Sequence, residues 1–238
     1  MARLSSTGYV LPKTVEHSAN HSTTYDGKVT TPPALTTTSY AVLGLLGLGP
    51  ATPYELAKQV RRSLRFFWSR AERKIYDEPR RLVMAGYATA AQETFGRRTR
   101  TVYAITDAGR GALASWLREP ARGPAIEVEA VVKVFFAEQG GKEALLGTLE
   151  GVCQVAAQQR RELAELALSA VGPQARYPQR AHVNALAMEF AVRQADLLHD
   201  WATWATEEVN GWDDTASASE SWRAEAMAVF DTAMRILR

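Results

Sequence analysis

The residues of this chain best equipped for chemistry are its clustered cations. Arg97, Arg98 and Arg100 bring three guanidinium groups within four positions. Arg70, Arg73 and Lys74 fall within two turns of a helix, and Lys58, Arg61 and Arg62 within two turns of another. Guanidinium and ammonium groups only donate hydrogen bonds, and their natural partners are carboxylate and phosphate oxygens. Thr37 to Pro120 holds 14 Lys and Arg against 7 Asp and Glu, whereas Ala121 to Arg238 holds 11 against 17. The whole chain carries only +2. The positive potential is therefore confined to one module, which is the electrostatic footprint of a polyanion site.

Other chemistries find no comparable support. Neither G-x-S-x-G nor H-E-x-x-H occurs, so no nucleophile elbow or zinc protease helix is expected. Gly140-Gly141-Lys142 resembles the end of a phosphate loop, but Glu143 stands where Ser or Thr is required and the upstream glycine is missing. His17 and His21 have a ligand-like spacing of four, without further ligands or a rigid frame. His182 and His199 are isolated, and Cys153 is the single cysteine, expected as a small core residue. These features predict no enzyme, metal or cofactor. One cysteine permits no intramolecular disulfide, which fits a reducing setting. No apolar run approaches the roughly 20 residues that span a bilayer, and no signal-type h-region follows Arg3. The expectation is a cytoplasmic protein without a membrane partner.

The elements that must position the cations can be read from caps and periods. Residues 1–36 are rich in Ser, Thr and Asn and show no sustained period, so a disordered tail is expected there. Thr38 is the expected cap of a helix from Ser39 to Leu48, apolar nearly all round and therefore central and buried. Thr52-Pro53-Tyr54-Glu55 is a capping box with proline at the first helical position. It opens a second helix to about Ser63, with Tyr54, Leu56, Ala57 and Val60 facing inward. Ser69-Arg70-Ala71-Glu72 is a second box and opens a third helix. That helix turns Ile75, Pro79, Leu82 and Val83 inward and Arg73, Lys74, Asp77, Arg80 and Arg81 outward, and it stops at Gly86. Pro79 lies inside it, so the helix must either bend or divide there. Tyr87–Glu93 and Arg100–Ile105 read as strands joined by a basic turn around Gly96. Thr106 caps a fourth helix with Leu113, Trp116 and Leu117 inward.

Three helices, a basic hairpin and a helix, in that order, are a winged helix-turn-helix over residues 37–120. After a linker at Pro120–Pro124, residues 121–238 read as helical throughout. Val128, Val131, Val132 and Phe135 form one stripe, and a long helix from Lys142 to about Ala170 carries another with Leu145, Leu149, Val152, Ala156, Leu163 and Leu166. From about Gln179 to Glu208, Val183, Ala187, Phe190, Gln194, Leu197, Trp201 and Trp204 recur at alternating intervals of 4 and 3, a seam for a partner helix. A last helix sets Trp222, Ala226, Val229 and Phe230 on one face. The fold class is thus mainly α, a winged helix-turn-helix followed by an all-helical dimerisation domain. Trp201, Trp204 and Trp222 have two readings, dimer packing or a pocket for a flat aromatic effector.

The motifs Tyr40-Ala-Val-Leu-Gly-Leu-Leu, Thr52-Pro-Tyr-Glu-Leu, Phe67-Trp-Ser-Arg-Ala, Ile75-Tyr-Asp-Glu-Pro-Arg-Arg-Leu, Gly96-Arg-Arg and Val102-Tyr-Ala-Ile-Thr together resemble the PadR family of bacterial transcription regulators. Phe135-Phe136 and the acidic helices after them resemble its virulence-activator-like branch. The resemblance covers about residues 37 to 210 and implies a dimer, usually a repressor. Its third helix would enter the major groove of double-stranded DNA and its wing would follow the minor groove or backbone. Lys74 and Tyr76 match the family's positions on that helix, and Arg97 and Arg98 those on the wing. The expected DNA-binding set is Lys58, Arg61, Arg70, Arg73, Lys74, Tyr76, Arg97, Arg98 and Arg100. A MarR-type regulator, or a module that binds an acidic protein or RNA, are the alternatives.

Overall fold

The computed structural model describes residues 34–68, 74–95, 98–173, 175–216 and 220–235. The chain divides into two compact units. Of the described residues, one holds 34–56 and 74–116, and the other holds 57–68 and those from 117 onward. Residues 57–68, which follow the start of the second helix, group with the C-terminal helices.

In the first unit, α1 (Thr37–Gly47) is the central helix and packs on the third and fourth helices and the second strand. Its cap is Thr36, not Thr38. The Thr36 hydroxyl accepts the Ser39 N–H at 3.2 Å, and the Thr36 N–H donates to Ser39 Oγ at 2.9 Å. This reciprocal pair starts the helix two residues early and leaves Thr38 buried inside it. Val42, Leu43 and Leu46 are fully buried.

The helix α2 (Pro53–Arg62) opens as its sequence requires. Glu55 accepts from the Thr52 N–H at 2.8 Å, and Thr52 Oγ1 accepts from the Glu55 N–H at 3.3 Å. Leu56, Ala57 and Val60 are buried, but Tyr54 is exposed. At 100° per residue Tyr54 lies more than a quarter turn from the centre of that stripe, and no preceding turn covers it. Ser63 breaks the helix, and Leu64–Phe66 forms a single 3-10 turn.

Residues 69–73, with the expected capping box at Ser69, lie outside the described residues. The proline conflict resolves by division: α3 runs only from Glu78 to Met84, so Pro79 sits in its first turn. There a missing N–H interrupts no helical bond. Ile75, Pro79 and Leu82 are buried, and Gly86 ends the segment with φ 78°.

β1 (Ala88–Phe95) and β2 (Arg98–Ile105) pair antiparallel from Ala88↔Ile105 to Phe95↔Arg98. The ladder is longer than expected at the turn end, because the β-branched Thr94 and Thr99 pair with each other instead of forming the loop, whereas at the other end β1 starts one residue later than expected, at Ala88. Gly96, the expected turn residue, lies outside the described residues. Ala51 bridges to Tyr103 through N–H···O bonds of 3.0 and 2.9 Å, which fastens the chain before α2 to β2. Thr106 caps α4 (Asp107–Trp116) by accepting the Gly109 N–H at 3.1 Å. Trp116 stacks on Tyr40 of α1, with ring centroids 4.6 Å apart and planes 4° from parallel. Leu117 is exposed, since the helix has already ended at Trp116.

The second unit is built on α6 (Gly141–Val171) and α7 (Ala181–Asn210), preceded by α5 (Glu129–Phe135) and followed by α8 (Glu220–Met234). Lys142 Nζ, at the start of α6, donates to the carbonyls of Asn210 and Trp212 at 3.0 and 2.6 Å. The two long helices are therefore antiparallel, and an ammonium group neutralises the carbonyl end of α7. Leu145, Leu149, Ala156 and Leu163 of α6 are buried, as are Ala191, Ala195, Ala202, Ala205 and Val209 of α7. The small residues on α7 permit a close approach. The apolar series from Val183 to Trp204 is a different face: Val183, Phe190, Leu197 and Trp204 remain exposed in the single chain. Val131, Val132 and Phe135 of α5 are exposed as well. Cys153 sits at the edge of the helix pair instead of in the core, with Sγ 3.8 Å from Thr203 Oγ1.

Candidate nucleic-acid interface

In the first unit the candidate site is built around residues 74–81. Ile75, Pro79 and Leu82 anchor this stretch inward. A buried polar contact fixes it further: Ser39 Oγ of α1 donates to Glu78 Oε1 at 2.5 Å, and Arg81 donates to Glu78 Oε2 at 2.9 Å. Glu78 is only 2% exposed, and these two donors satisfy its two carboxyl oxygens. With that face committed, Lys74, Tyr76, Asp77, Arg80 and Arg81 stand exposed on the other. A Lys, a Tyr hydroxyl and an Arg that make no commitment to the core suit phosphates and base edges.

The hairpin is the second part. Arg100 reaches across the ladder and donates to Glu93 at 2.9 Å, so part of its charge is balanced within the wing. Thr89, Ala90, Ala91, Gln92, Glu93 and Thr94 are exposed along β1. Arg98 opens β2, directly opposite Phe95. Arg70, Arg73 and Arg97 lie outside the described residues. Lys58 is exposed and Arg61 half-buried on the part of α2 that belongs to the second unit.

Sequence reasoning missed the Ser39–Glu78 contact, because a glutamate three residues after Ile75 reads as surface. The only available signal was its position on the inward side of the Ile75–Leu82 stripe.

The tryptophans are arranged differently from the expected trio. Trp201 is half-buried against the cluster of Leu145, Leu149, Ala205 and Val209, and Trp212 packs on that same cluster. Trp222 meets Trp212 edge to face, with centroids 5.0 Å apart, and its Nε1 donates to Glu208 at 3.0 Å. Trp204 is 43% exposed. Trp212, unnoticed in the sequence because it falls in a turn, is thus the ring partner of Trp222 and shares a core cluster with Trp201. A separate cavity of about 490 Å³ beside the start of α6 is lined by Val132, Lys133, Phe136, Ala137, Gln139 and Leu145, among others, and by none of the tryptophans. Among the described residues no group of three or more His, Cys, Asp or Glu could hold a metal ion. None of the described helices is long and apolar enough to cross a membrane.

Residues 42–115 match the model of the Transcriptional regulator PadR-like family. They are a PadR-like domain. The match runs from α1 to the last turn of α4, so it encloses the exposed stretch at Lys74 and the whole wing. The negative transcriptional regulator PadR of Bacillus subtilis is 30% identical over 99 residues, 41% of this chain and 54% of that protein. The chain spans about half the length of the curated relatives it matches. In fold, the chain is similar to Bacillus subtilis PadR in complex with operator DNA, with TM-score 0.63 and 19% identity over 73% of this chain and 99% of the other. The same protein in complex with p-coumaric acid gives TM-score 0.57 and 22% identity, covering 72% and 98%. The likeness therefore extends past the PadR-like domain into the C-terminal helices, as a likeness of fold.

Proposed function

We propose that this protein is a transcriptional regulator that binds operator DNA as a homodimer, acts in the cytoplasm and represses. The observation that carries the reading is the division of labour on residues 74–81 of the PadR-like domain. One face is locked by Ile75, Pro79, Leu82 and the Ser39–Glu78 contact, and the other offers Lys74, Tyr76 and Arg80 to solvent. A B-DNA major groove admits one helix, and a firmly seated segment with exposed donors is what reading base edges requires. The wing, with Arg97, Arg98 and Arg100, supplies backbone contacts. Arg70 and Arg73 extend the reading face, and Lys58 and Arg61 add phosphate contacts. Dimerisation belongs to residues 121–238, through the exposed Val183–Trp204 face of α7 and the acidic character that turns this region from DNA. Repression follows the relative described as a negative regulator.

The test is binding of the intact protein to duplex DNA from upstream of its own gene, against an unrelated duplex, over a range of salt. Specific, salt-sensitive binding supports the reading. Preference for RNA or for an acidic protein supports the interaction-module alternative.

The effector is a planar aromatic molecule, the class represented by p-coumaric acid in the structural relative. Its candidate site is at Trp201, Trp204 and Trp222, where indole faces offer flat apolar area with N–H groups at the edge. Titration of tryptophan emission with planar aromatic acids, repeated in Trp201→Ala and Trp204→Ala, decides this. Quenching that is unchanged in both variants places the ligand elsewhere.

A further inference from the structure

The solvent-facing side of residues 74–81 carries one group of the wrong sign for a polyanion. Lys74, Tyr76, Arg80 and Arg81 suit phosphates and base edges, whereas the exposed Asp77 places a carboxylate among them. A negative charge on a surface that approaches phosphates is repelled by them, which weakens binding to every duplex alike. Such a residue needs a local reason for its type, and the fold supplies none.

Aspartate is favoured as a helix cap, and Asp77 precedes Glu78, the first residue of α3. Its backbone, however, is helical (φ −94°, ψ −28°) instead of extended, and its side chain makes no capping hydrogen bond. A carboxylate can also pair with a cation one helical turn on. Arg81 is the residue so placed, and it donates to Glu78 at 2.9 Å instead. Among the described residues no hydrogen bond or ion pair engages the Asp77 carboxylate. The buried contact with Ser39 belongs to the neighbouring Glu78. The frame beneath Asp77 is nevertheless firm. Its N–H donates to the Lys74 carbonyl and its own carbonyl accepts the Arg81 N–H, each at 3.2 Å. Ile75 and Pro79 on either side of it are buried. The carboxylate therefore projects from a backbone held on both sides, as discrimination between base edges requires.

An ionised carboxylate only accepts hydrogen bonds. In the major groove guanine presents two acceptors, and thymine an acceptor and a methyl group, so neither offers it a donor. Adenine presents its N6 amino group beside the N7 acceptor, which opposes a carboxylate; cytosine presents the N4 amino group alone. We propose that Asp77 accepts a hydrogen bond from cytosine N4 and thereby specifies a C·G pair in each half-site, lowering affinity for DNA in general while giving preference at one position. The assignment rests on the DNA-binding reading above and names one base within it. The guanine of the same pair presents O6 and N7, which accept from a cation. Lys74 lies in the same hydrogen-bonded turn as Asp77. A donor and an acceptor thus leave one turn, matching the acceptors and the donor of one C·G pair.

The experiment compares the intact protein with Asp77→Asn and Asp77→Ala. The probes are the duplex that the wild-type protein protects upstream of its own gene, every single-base-pair substitution of it, and an unrelated duplex. In the wild type one position in each half-site should favour cytosine about tenfold over the other bases. Asp77→Ala should flatten that position to within about twofold, leave the other positions unchanged and bind the unrelated duplex more tightly. Asp77→Asn should move the preference at the same position to adenine, because an amide accepts from N6 and donates to N7. Base preferences that stay the same in both variants overturn the assignment, and so do preferences that change at many positions at once, since Asp77 then acts on its neighbours and not on a base. In either case the functional reading stands. A wild-type protein that binds its upstream duplex no better than the unrelated one overturns the functional reading and the cytosine assignment together.

Discussion

Glu78 shows how a single residue can seat the proposed recognition surface. A carboxylate at 2% exposure is costly unless its lone pairs are engaged, and Ser39 Oγ and Arg81 engage them. Ser39→Ala removes the hydroxyl that donates to Glu78 Oε1 and leaves the Arg81 contact at Oε2. The expected loss is about 1–3 kcal/mol in urea-induced unfolding. DNA affinity should fall further than stability alone explains, since the anchor of residues 74–81 is loosened. Gly109 gives a sharper residue-scale test. A Cβ there would stand 2.2 Å from the Tyr87 carbonyl oxygen, a backbone atom that cannot swing aside, whereas a Cβ at Gly111 would meet nothing within 4 Å. Gly109→Ala should destabilise by about 1–3 kcal/mol or more. Gly111→Ala, inside the same helix, should stabilise by about 0.5–1 kcal/mol. Thermal unfolding of the two variants checks the opposite signs.

At the scale of elements, the wing and the two long helices make separate predictions. Replacing Arg97 and Arg98 together by Ala should weaken binding to all duplexes alike and flatten the salt dependence, because backbone contacts carry no sequence information. Replacing Lys74 or Arg73 should also alter which sequences are preferred. Competition binding against a panel of single-base variants separates the two behaviours. The elements also show how far the sequence could be read. Capping chemistry is local, so Thr52-Pro53-Glu55, Thr106 and Gly86 were legible in full. Pro79 was legible as a conflict, and its resolution needed the backbone: a helix that starts at Glu78 turns the proline into a first-turn residue. The Thr36 cap was missed because Thr36, Thr37 and Thr38 are chemically alike, and only tertiary burial selects among them. On α7 the large residues advertised a seam, yet the face that packs on α6 is the quieter alanine series 191, 195, 202 and 205. Periodicity finds a stripe but does not say which stripe meets which neighbour. Ser39–Glu78 and Arg65–Glu162 join residues 39 and 97 positions apart, a separation no local pattern reports.

The whole molecule joins a basic PadR-like domain to an acidic helical region. The single chain leaves Val183, Leu186, Phe190 and Leu197 exposed on α7, too much contiguous apolar surface for a monomer to carry without use. Leu186→Glu combined with Leu197→Glu should shift the protein from dimer to monomer in analytical ultracentrifugation. It should reduce affinity for a two-half-site duplex by roughly 10²-fold or more, because linkage between the half-sites is lost. Binding to a single half-site should change little.

The central claim is that the basic domain grips DNA through phosphates and reads it through residues 74–81. The most direct measurement is the affinity of the intact protein for its own upstream duplex as salt is raised. If about 6 phosphates are neutralised per dimer, log K should fall against log salt with a slope of about −5, and an unrelated duplex should bind markedly more weakly at every salt concentration. A slope near zero, or equal affinity for both duplexes throughout, would contradict the account.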